Sequence, residues 1–299
     1  MTEKQHPTDQ IAIIGLGIIG SALARNLITH GFSVTGFDPD NNSATRAAEM
    51  GVAVTADAAE AMRNSDIILT SLPSEAALVA TIELLTTDSG QSNKDQVLVE
   101  LSTLSLDCKT EAHGQLGTAG IAMLDCPISG TGAQAQTADI ALYASGDEPA
   151  FKRCREIFDA VARDSFFLGA IGNGTRMKFV ANLLVAIHNV ASAEALNLAA
   201  RAGLDPQQVY DVISSGAGTS KIFELRGPMM VADNYDPATM KLDVWQKDMA
   251  LIKDFAAAAG AFTPLFDTTE PLYETAIDLG LGEQDTAAVH KILSQMEDK

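Results

Sequence analysis

The stretch that most constrains this chain is Ile11-Ala12-Ile13-Ile14-Gly15-Leu16-Gly17-Ile18-Ile19-Gly20. A short apolar run ends in G-x-G-x-x-G, and an alanine-rich helical pattern follows at once. That context predicts a buried strand turning sharply into a helix. Gly15 suits the tight turn, Gly17 leaves the backbone open to a pyrophosphate, and Gly20 lets the helix pack close to the sheet. The helix N-terminus points free N–H groups and the positive end of its dipole at the phosphates. A second run, Ser33–Phe37, ends at Asp38, eighteen residues past Gly20. An acid at about that spacing takes the ribose hydroxyls. A glycine-punctuated turn in an ordinary α/β fold is the alternative, and the acid disfavours it.

Short apolar runs and helical patterns go on alternating. Strands are expected at Asp66–Thr70, Val97–Leu101, Ile121–Asp125, Ile140–Ala144 and Phe166–Leu168. Helices are expected at Glu75–Thr86, Leu106–Ala119 and Glu148–Val161. This grammar predicts a parallel, doubly wound sheet of the Rossmann type, with ligands beyond the carboxyl ends of the strands. It stops at Gly169-Ala170-Ile171-Gly172-Asn173-Gly174. Beyond it the pattern is helical: Thr175–Ala202, a helix opened by Asp205-Pro206, then Lys221–Val231, Thr239–Gly260, Pro264–Leu279 and Asp285–Glu297. The chain therefore reads as α/β over 1–169, a dinucleotide-binding domain, followed by an all-α domain over 170–299. The long first helix carries Val180, Leu183, Leu184, Ile187, Val190 and Ala191 with few charges, so burial on most faces is expected.

Composition narrows the function classes. The 299 residues are 46% hydrophobic, enough for a substantial core. The formal net charge of −19 repels nucleic acid and anionic membranes, so neither is expected as a partner, and an anionic substrate would need local cations. Met1–Gln10 is polar with no signal-peptide pattern, and no uninterrupted apolar stretch of about 18 residues suggests a membrane span. Cys108, Cys126 and Cys154 fit neither a disulfide framework nor a zinc spacing, so no metal is expected and a cytoplasmic location is.

Three further places are candidates for chemistry. Lys178 and Asn182 share a helix face just after Gly172 and Gly174. Partial burial and the helix dipole lower a lysine pKa, which suits a general acid/base. A lysine that snorkels to solvent from a helix end fits the spacing equally well. Asp125-Cys126-Pro127-Ile128-Ser129-Gly130-Thr131-Gly132 offers N–H groups and hydroxyls that suit a carboxylate, although composition alone favours a plain turn. Lys247, beside Asp248, could reach an anionic ligand, but its helical context favours the surface. His188 reads as a packed histidine.

In order, these motifs resemble the β-hydroxyacid dehydrogenases, the group that includes 3-hydroxyisobutyrate dehydrogenase and tartronate semialdehyde reductase, with 6-phosphogluconate dehydrogenase as a larger relative. Gly15–Gly20 is the nucleotide motif. Asp125-Cys126-Pro127-Ile128-Ser129-Gly130 is similar to the family's D-x-P-V-S-G-G. Gly169 through Asn182 is similar to its G-x-x-G-x-G-x-x-x-K-x-x-N, and Lys247-Asp248-Met249 to its K-D-L. The resemblance implies that Lys178 is the catalytic acid/base, that Asn182 helps hold the substrate, and that Ser129 and Gly130, with Thr131 beside them, hold its carboxylate. It implies that Lys247, Leu72, Pro73 and Thr103 lie near the nicotinamide end of a cofactor held by Gly15, Leu16, Gly17, Ile18, Ile19, Gly20 and Asp38. Thr131 stands where the family has a second glycine, and Ala138-Asp139 where it has a G-T pair, so substrate identity is left open.

The resemblance thus implies hydride transfer between a nicotinamide cofactor and a small β-hydroxy acid or the matching semialdehyde. Rivals are an imine reductase or reductive aminase of this fold, which typically replaces the lysine, and a non-catalytic nucleotide-binding relative. Asp38 would repel a 2′-phosphate, and Arg46 is the one nearby cation, so NAD(H) is expected over NADP(H). The apolar long helix predicts a homodimer or homotetramer built from the region after Gly174.

Overall fold

The computed structural model describes residues 9–87 and 95–295. The chain divides into two compact units, Met1–Lys178 and Phe179–Lys299.

The first unit alternates strand and helix: β1 (Ile11–Ile14), α1 (Ile18–Thr29), β2 (Val34–Phe37), α2 (Asn41–Glu49), β3 (Ala53–Val54), α3 (Ala58–Arg63), β4 (Ile67–Thr70), α4 (Glu75–Thr87), β5 (Val97–Glu100), α5 (Leu106–Ala119) and β6 (Ala122–Asp125). It continues through β7 (Ile128–Ser129), α6 (Gly132–Ala135), β8 (Ala141–Gly146), α7 (Glu148–Arg153), α8 (Arg155–Val161) and β9 (Asp164–Phe167). The strand order is β3-β2-β1-β4-β5-β6-β8-β7, with β9 beside β8. β1 to β6 run parallel. The residues of β1, β4 and β5 are buried throughout, as a sheet covered by helices requires, whereas both residues of the edge strand β3 are exposed. Ile11 and Ile13 point to a core shared with Leu23, Leu27 and Phe158; Ala12 and Ile14 point to one shared with Ile68, Leu78, Ile82 and Leu116. Each buried Ile or Leu contributes about 1.5–3 kcal/mol.

The sheet is not parallel throughout. β8 runs antiparallel to both β6 and β7. The one helix between Asp125 and Ala141 is the four-residue α6, too short to be a crossover that carries the chain back for another parallel strand. The helix expected over Glu148–Val161 is broken at Cys154 (φ −77°, ψ 2°), and the bend brings the Phe151 and Phe158 rings to 5.5 Å.

The helix α9 (Asn173–Arg201) leads into the second unit, which holds α10 (Pro206–Ser214), α11 (Lys221–Val231), α12 (Leu242–Ala258), α13 (Pro264–Asp278), a 3₁₀ turn at Thr286–Ala288 and α14 (Val289–Gln295). Among its described residues there is no strand beyond one isolated bridge, Lys241 with Asp285. Asp205 caps α10 by accepting from the Gln208 N–H, with Pro206 at the first helical position. α12 starts three residues later than expected because the Thr239 and Met240 N–H groups bond the Asp285 carboxylate instead. Glu297, the expected end of the last helix, lies outside the described residues.

By length and composition α9 could cross a membrane, with a mean hydropathy of 1.4. Here it packs Phe179, Ala186, Val190, Ala193 and Leu196 against Trp245, Phe266 and Tyr273. Its Asn189 amide donates to the Tyr273 hydroxyl (2.9 Å) and the Thr286 carbonyl (2.8 Å). The expected burial on most faces is not met within the chain: Val180 (51%), Leu184 (47%) and Leu198 (70%) are exposed.

Candidate active site at the strand tips

The glycine-rich loop has the geometry its sequence requires. Gly15 sits at φ +92°, its N–H donates to Phe37 O (2.9 Å), and a Cβ there would lie 2.2 Å from Ser71 O. A side chain at this position would thus force apart the tips of β1 and β4. At Gly20 a Cβ would collide with Gly15 O at 1.8 Å, so the helix is pressed onto the turn itself. Gly17, the N-cap of α1, differs: a Cβ there would meet nothing within 4 Å. That open backbone, at a helix N-terminus with no acid in its first turn, fits the pyrophosphate of a dinucleotide. Leu16 is buried, whereas Ile18 is 73% exposed.

Asp38 lies at the tip of β2, half-buried. Its Oδ2 accepts from the Leu16 N–H (2.7 Å) and its Oδ1 from the Asp40 N–H (2.8 Å). The acid therefore ties β2 to the glycine loop, which its spacing did not reveal. Each carboxylate oxygen keeps a further lone pair for a ribose hydroxyl. Next to it Asp40 caps α2, its carboxyl held below the ordinary value by the Ser43 hydroxyl and the Asn42 and Ser43 N–H groups. Arg46 donates to Ser43 Oγ (2.9 Å).

The tips of β5 and β6 hold a buried ionic cluster that sequence reasoning missed. Lys109 of α5 is wholly buried and paired with Glu100 (2.6 Å) and Asp125 (2.9 Å). Burial would pull its pKa down, but the two carboxylates and the hydrogen bonds to them outweigh that and lift it above the usual lysine value. The Leu72 N–H donates to Ser102 Oγ (2.8 Å), so Leu72, with the exposed Pro73 after it, is held beside Ser102 and Thr103.

Beyond β6 the loop Cys126–Asp139 runs back over α1. Arg25 donates to Gln136 O and Asn26 to Ala135 O, both at 2.8 Å. A Cβ on Gly132 would lie 2.4 Å from Ile18 Cγ2. The candidate substrate loop and the glycine loop are thus fixed against each other. Ser129 pairs with Ala141 in the β7–β8 ladder, and Gly130 (φ +144°) follows it, exposed. Thr131 caps α6: its hydroxyl accepts from the Gln134 N–H and its own N–H donates to Gln134 Oε1. Its polar groups close a capping box.

α9 starts against the β6 tip. A Cβ on Gly174 would meet Tyr143 O at 2.2 Å and Asp125 O at 2.6 Å. The Asp125 carboxylate accepts from the Thr175 N–H (2.8 Å) and hydroxyl (2.7 Å), and Ser145 Oγ accepts from the Gly174 N–H (2.9 Å). Lys178, one turn on, is only 9% exposed and does not snorkel out. Asn182, 5% exposed, follows on the same helix. In the second unit Asn182 Nδ2 donates to Asp248 Oδ2 (3.0 Å), and Lys247, 42% exposed, lies 3.4 Å from Asp248 Oδ1. Asp248 therefore orients the Asn182 amide, a role that needs the fold to be seen. His188 is half-buried in the same helix.

The cysteines offer no nucleophile. Burial raises the Cys126 thiol well above its usual value, pushes Cys154 up to about 12 and raises Cys108. Among the described residues no group of three or more His, Cys, Asp or Glu is placed to hold a metal ion.

Known proteins match along nearly the whole chain. Residues 10–172 match the family model described as the NAD-binding domain of 6-phosphogluconate dehydrogenase. Residues 172–293 match the one described as NAD-binding of NADP-dependent 3-hydroxyisobutyrate dehydrogenase. The chain is 33% identical over 287 residues to L-threonate dehydrogenase of Escherichia coli K12, covering 95% of this chain and 94% of that protein. The solved structure of Mycobacterium tuberculosis 3-hydroxyisobutyrate dehydrogenase with L-serine superposes with a TM-score of 0.85 at 30% identity, over 96% of this chain and 99% of that one. An imine reductase from Pseudomonas sp. is more distant, with a TM-score of 0.63 at 21% identity, and shares the fold alone.

Proposed function

The chain belongs to the β-hydroxyacid dehydrogenase family and transfers a hydride between a nicotinamide cofactor and a hydroxy acid; on that premise we propose a small β-hydroxy acid, or the matching semialdehyde, as its substrate, with Lys178 as the general acid/base. The observation that carries this reading is the burial of Lys178 one turn past the Asp125-capped start of α9. A bound nicotinamide supplies or accepts the hydride. The protein's part is to fix the groups around it. Lys178 Nζ takes the substrate hydroxyl proton in oxidation and returns it in reduction. In this reading Asn182, oriented by Asp248, helps hold the substrate, Ser129 and Gly130 hold its carboxylate, and Lys247 serves the nicotinamide end of the cofactor. Holding the reactants in register makes the step nearly unimolecular.

NAD(H) is the proposed cofactor. One matched family description names an NADP-dependent enzyme. Against that, a 2′-phosphate beside Asp38 would meet two carboxylates, Asp38 and Asp40, and only Arg46 to offset them. The proposed setting is cytoplasmic. The exposed flank of α9 supports a homodimer or homotetramer, and sedimentation showing only monomer at micromolar concentration would overturn that assembly. The substrate assignment is tested with a panel of β-hydroxy acids and semialdehydes, followed by nicotinamide absorbance. Turnover of β-hydroxy acids with NAD⁺ is the expected result. Turnover confined to imines would select the reductive-aminase alternative instead.

A further inference from the structure

Three of the candidate site positions trace back to one buried side chain with no assigned part in the chemistry. The Lys109 ammonium has three donors. They serve the Ser102 carbonyl (2.6 Å) and Asp125 Oδ1 (2.9 Å), and the ammonium forms an ion pair with Glu100 Oε2 at 2.6 Å. Ser102 is gripped three ways: its N–H donates to Glu100 Oε1 (2.9 Å), its carbonyl accepts from Lys109, and its hydroxyl accepts from the Leu72 N–H. Thr103 is the next residue. On the other side Asp125 takes the Thr175 N–H and hydroxyl, and Lys178 follows three residues later.

One carboxylate would be enough to pair a buried lysine. Here the two partners come from adjacent strands, Glu100 ending β5 and Asp125 ending β6. The cluster carries two negative charges and one positive. The surplus negative charge lies at the N-terminal turn of α9, whose dipole favours it. The same contacts that neutralise Lys109 therefore join two strand tips to a helix start.

We propose that Lys109 is a positioning residue, bracing the tips of β5 and β6 so that the Leu72 and Ser102–Thr103 turns keep a fixed spacing from the first turn of α9 that carries Lys178. It acts through Ser102 and Asp125. The inference rests on the reading of Lys178 as the proton-transfer group. A displacement of about 1 Å at a reacting group can cost about 10²-fold in rate.

The test uses the full chain carrying Lys109→Met together with Glu100→Gln. The pair removes one positive and one negative charge, keeps the net charge and closely preserves shape. Three quantities are read: amide hydrogen exchange without cofactor, NADH affinity by fluorescence, and kcat. The expected result is exchange at Leu72 and Thr175 at least about tenfold faster, with the strand amides of Ile13 and Val99 unchanged, and kcat lower by about 10–100-fold. NADH affinity should weaken by a smaller factor. Unchanged protection at Leu72 and Thr175, or equal loosening of all four amides, would make Lys109 a stability residue only and overturn the proposal. If the double variant does not fold, Thr175→Val cuts the helix from Asp125 and leaves Lys109 in place. It should lower kcat with NADH affinity retained, and a kcat within about twofold of the unaltered chain would overturn the brace. Failure of the unaltered chain to turn over any hydroxy acid would sink the functional reading, while the exchange data would still decide the brace.

Discussion

Asp125 in the first unit and Asp285 in the second are both wholly buried; each pairs with one cation, and Asp125 accepts one backbone N–H where Asp285 accepts three. Their surroundings differ. Asp285 pairs with Arg226 alone (3.2 Å) and takes the N–H groups of Thr239, Met240 and Ala287 and the Thr239 hydroxyl. Charge is balanced, and the backbone donors lie in the Thr239–Met240 segment and the 3₁₀ turn. Asp125 shares its lysine with Glu100, so charge is left over, and its other partners open the helix that carries Lys178. Burying an ion costs several kcal/mol, and good geometry only offsets that. The balanced knot therefore serves to hold the second unit's loops together. The unbalanced one lies where ligands bind in α/β sheets, at the carboxyl ends of the strands, and ties ligand-facing segments to each other.

Chemistry should fail on the Asp125 side without the fold failing. Lys178→Ala should lower kcat by about 10²–10⁴-fold, about 3–5 kcal/mol of activation free energy, with NADH affinity little changed. Lys178→Arg should not restore turnover, because a guanidinium stays protonated and cannot act as base. Near-normal turnover in Lys178→Ala would remove the lysine from the mechanism. Loss of NADH binding alongside turnover would mean that it holds the cofactor or the structure.

Asp285 should show the opposite profile. Asp285→Ala leaves Arg226 buried and unpaired and should cost about 3–5 kcal/mol of stability in denaturant titrations, with NADH affinity retained in the folded fraction. Burial works against the Asp285 charge, yet Arg226 and the hydrogen bonds from Thr239, Ala287 and Met240 outweigh it and hold its pKa below the ordinary carboxylate value. Its stabilisation is therefore complete above about pH 4 and is lost as pH falls below that. Altered kcat with unaltered stability in Asp285→Ala would erase the contrast between the two carboxylates.

A smaller effect tests the edge of the first unit. Asp38→Asn keeps an acceptor for the Leu16 N–H and removes the charge. The ratio of kcat/KM for NAD⁺ over NADP⁺ should fall by about tenfold, about 1.4 kcal/mol. A higher kcat/KM with NADP⁺ in the unaltered chain would overturn the cofactor assignment.

What could be read from sequence was local. The glycine loop, the end of the long helix near Ala202 and the Asp205-Pro206 start of α10 depend on residues within a turn of each other. The two-residue strands β3 and β7 carry no periodic run and were not legible. Lys109 carries no sequence signal of its own, because its burial is decided by Glu100 and Asp125, which only the strand pairing brings together. Asp248 could be noticed beside Lys247, but its bond to Asn182 spans 66 residues. Thr131 shows the limit in the other direction: its place in the substrate motif suggested ligand contact, and its hydroxyl and N–H are used by Gln134.

The smallest expected effect lies in the second unit and asks whether its ionisable groups govern stability alone. His290 of α14 is half-buried and hydrogen-bonded to the Tyr235 hydroxyl (3.2 Å). Burial lowers its pKa below the ordinary histidine value, and Asp233 opposes this only in part. Between the folded and unfolded pKa values the unfolded chain binds more protons, so stability rises with pH there. The contribution is complete above about pH 6.5 and declines as pH falls below it. Urea titrations at pH 7.5 and 5.5 should therefore show a lower midpoint at the acid pH, and His290→Gln should reduce that difference. Asp125 and Lys178 belong to the other unit, so His290→Gln should leave the pH profile of kcat/KM unmoved. A shift in that profile would couple the helical unit's titration to the chemistry and break the division between the two buried carboxylates.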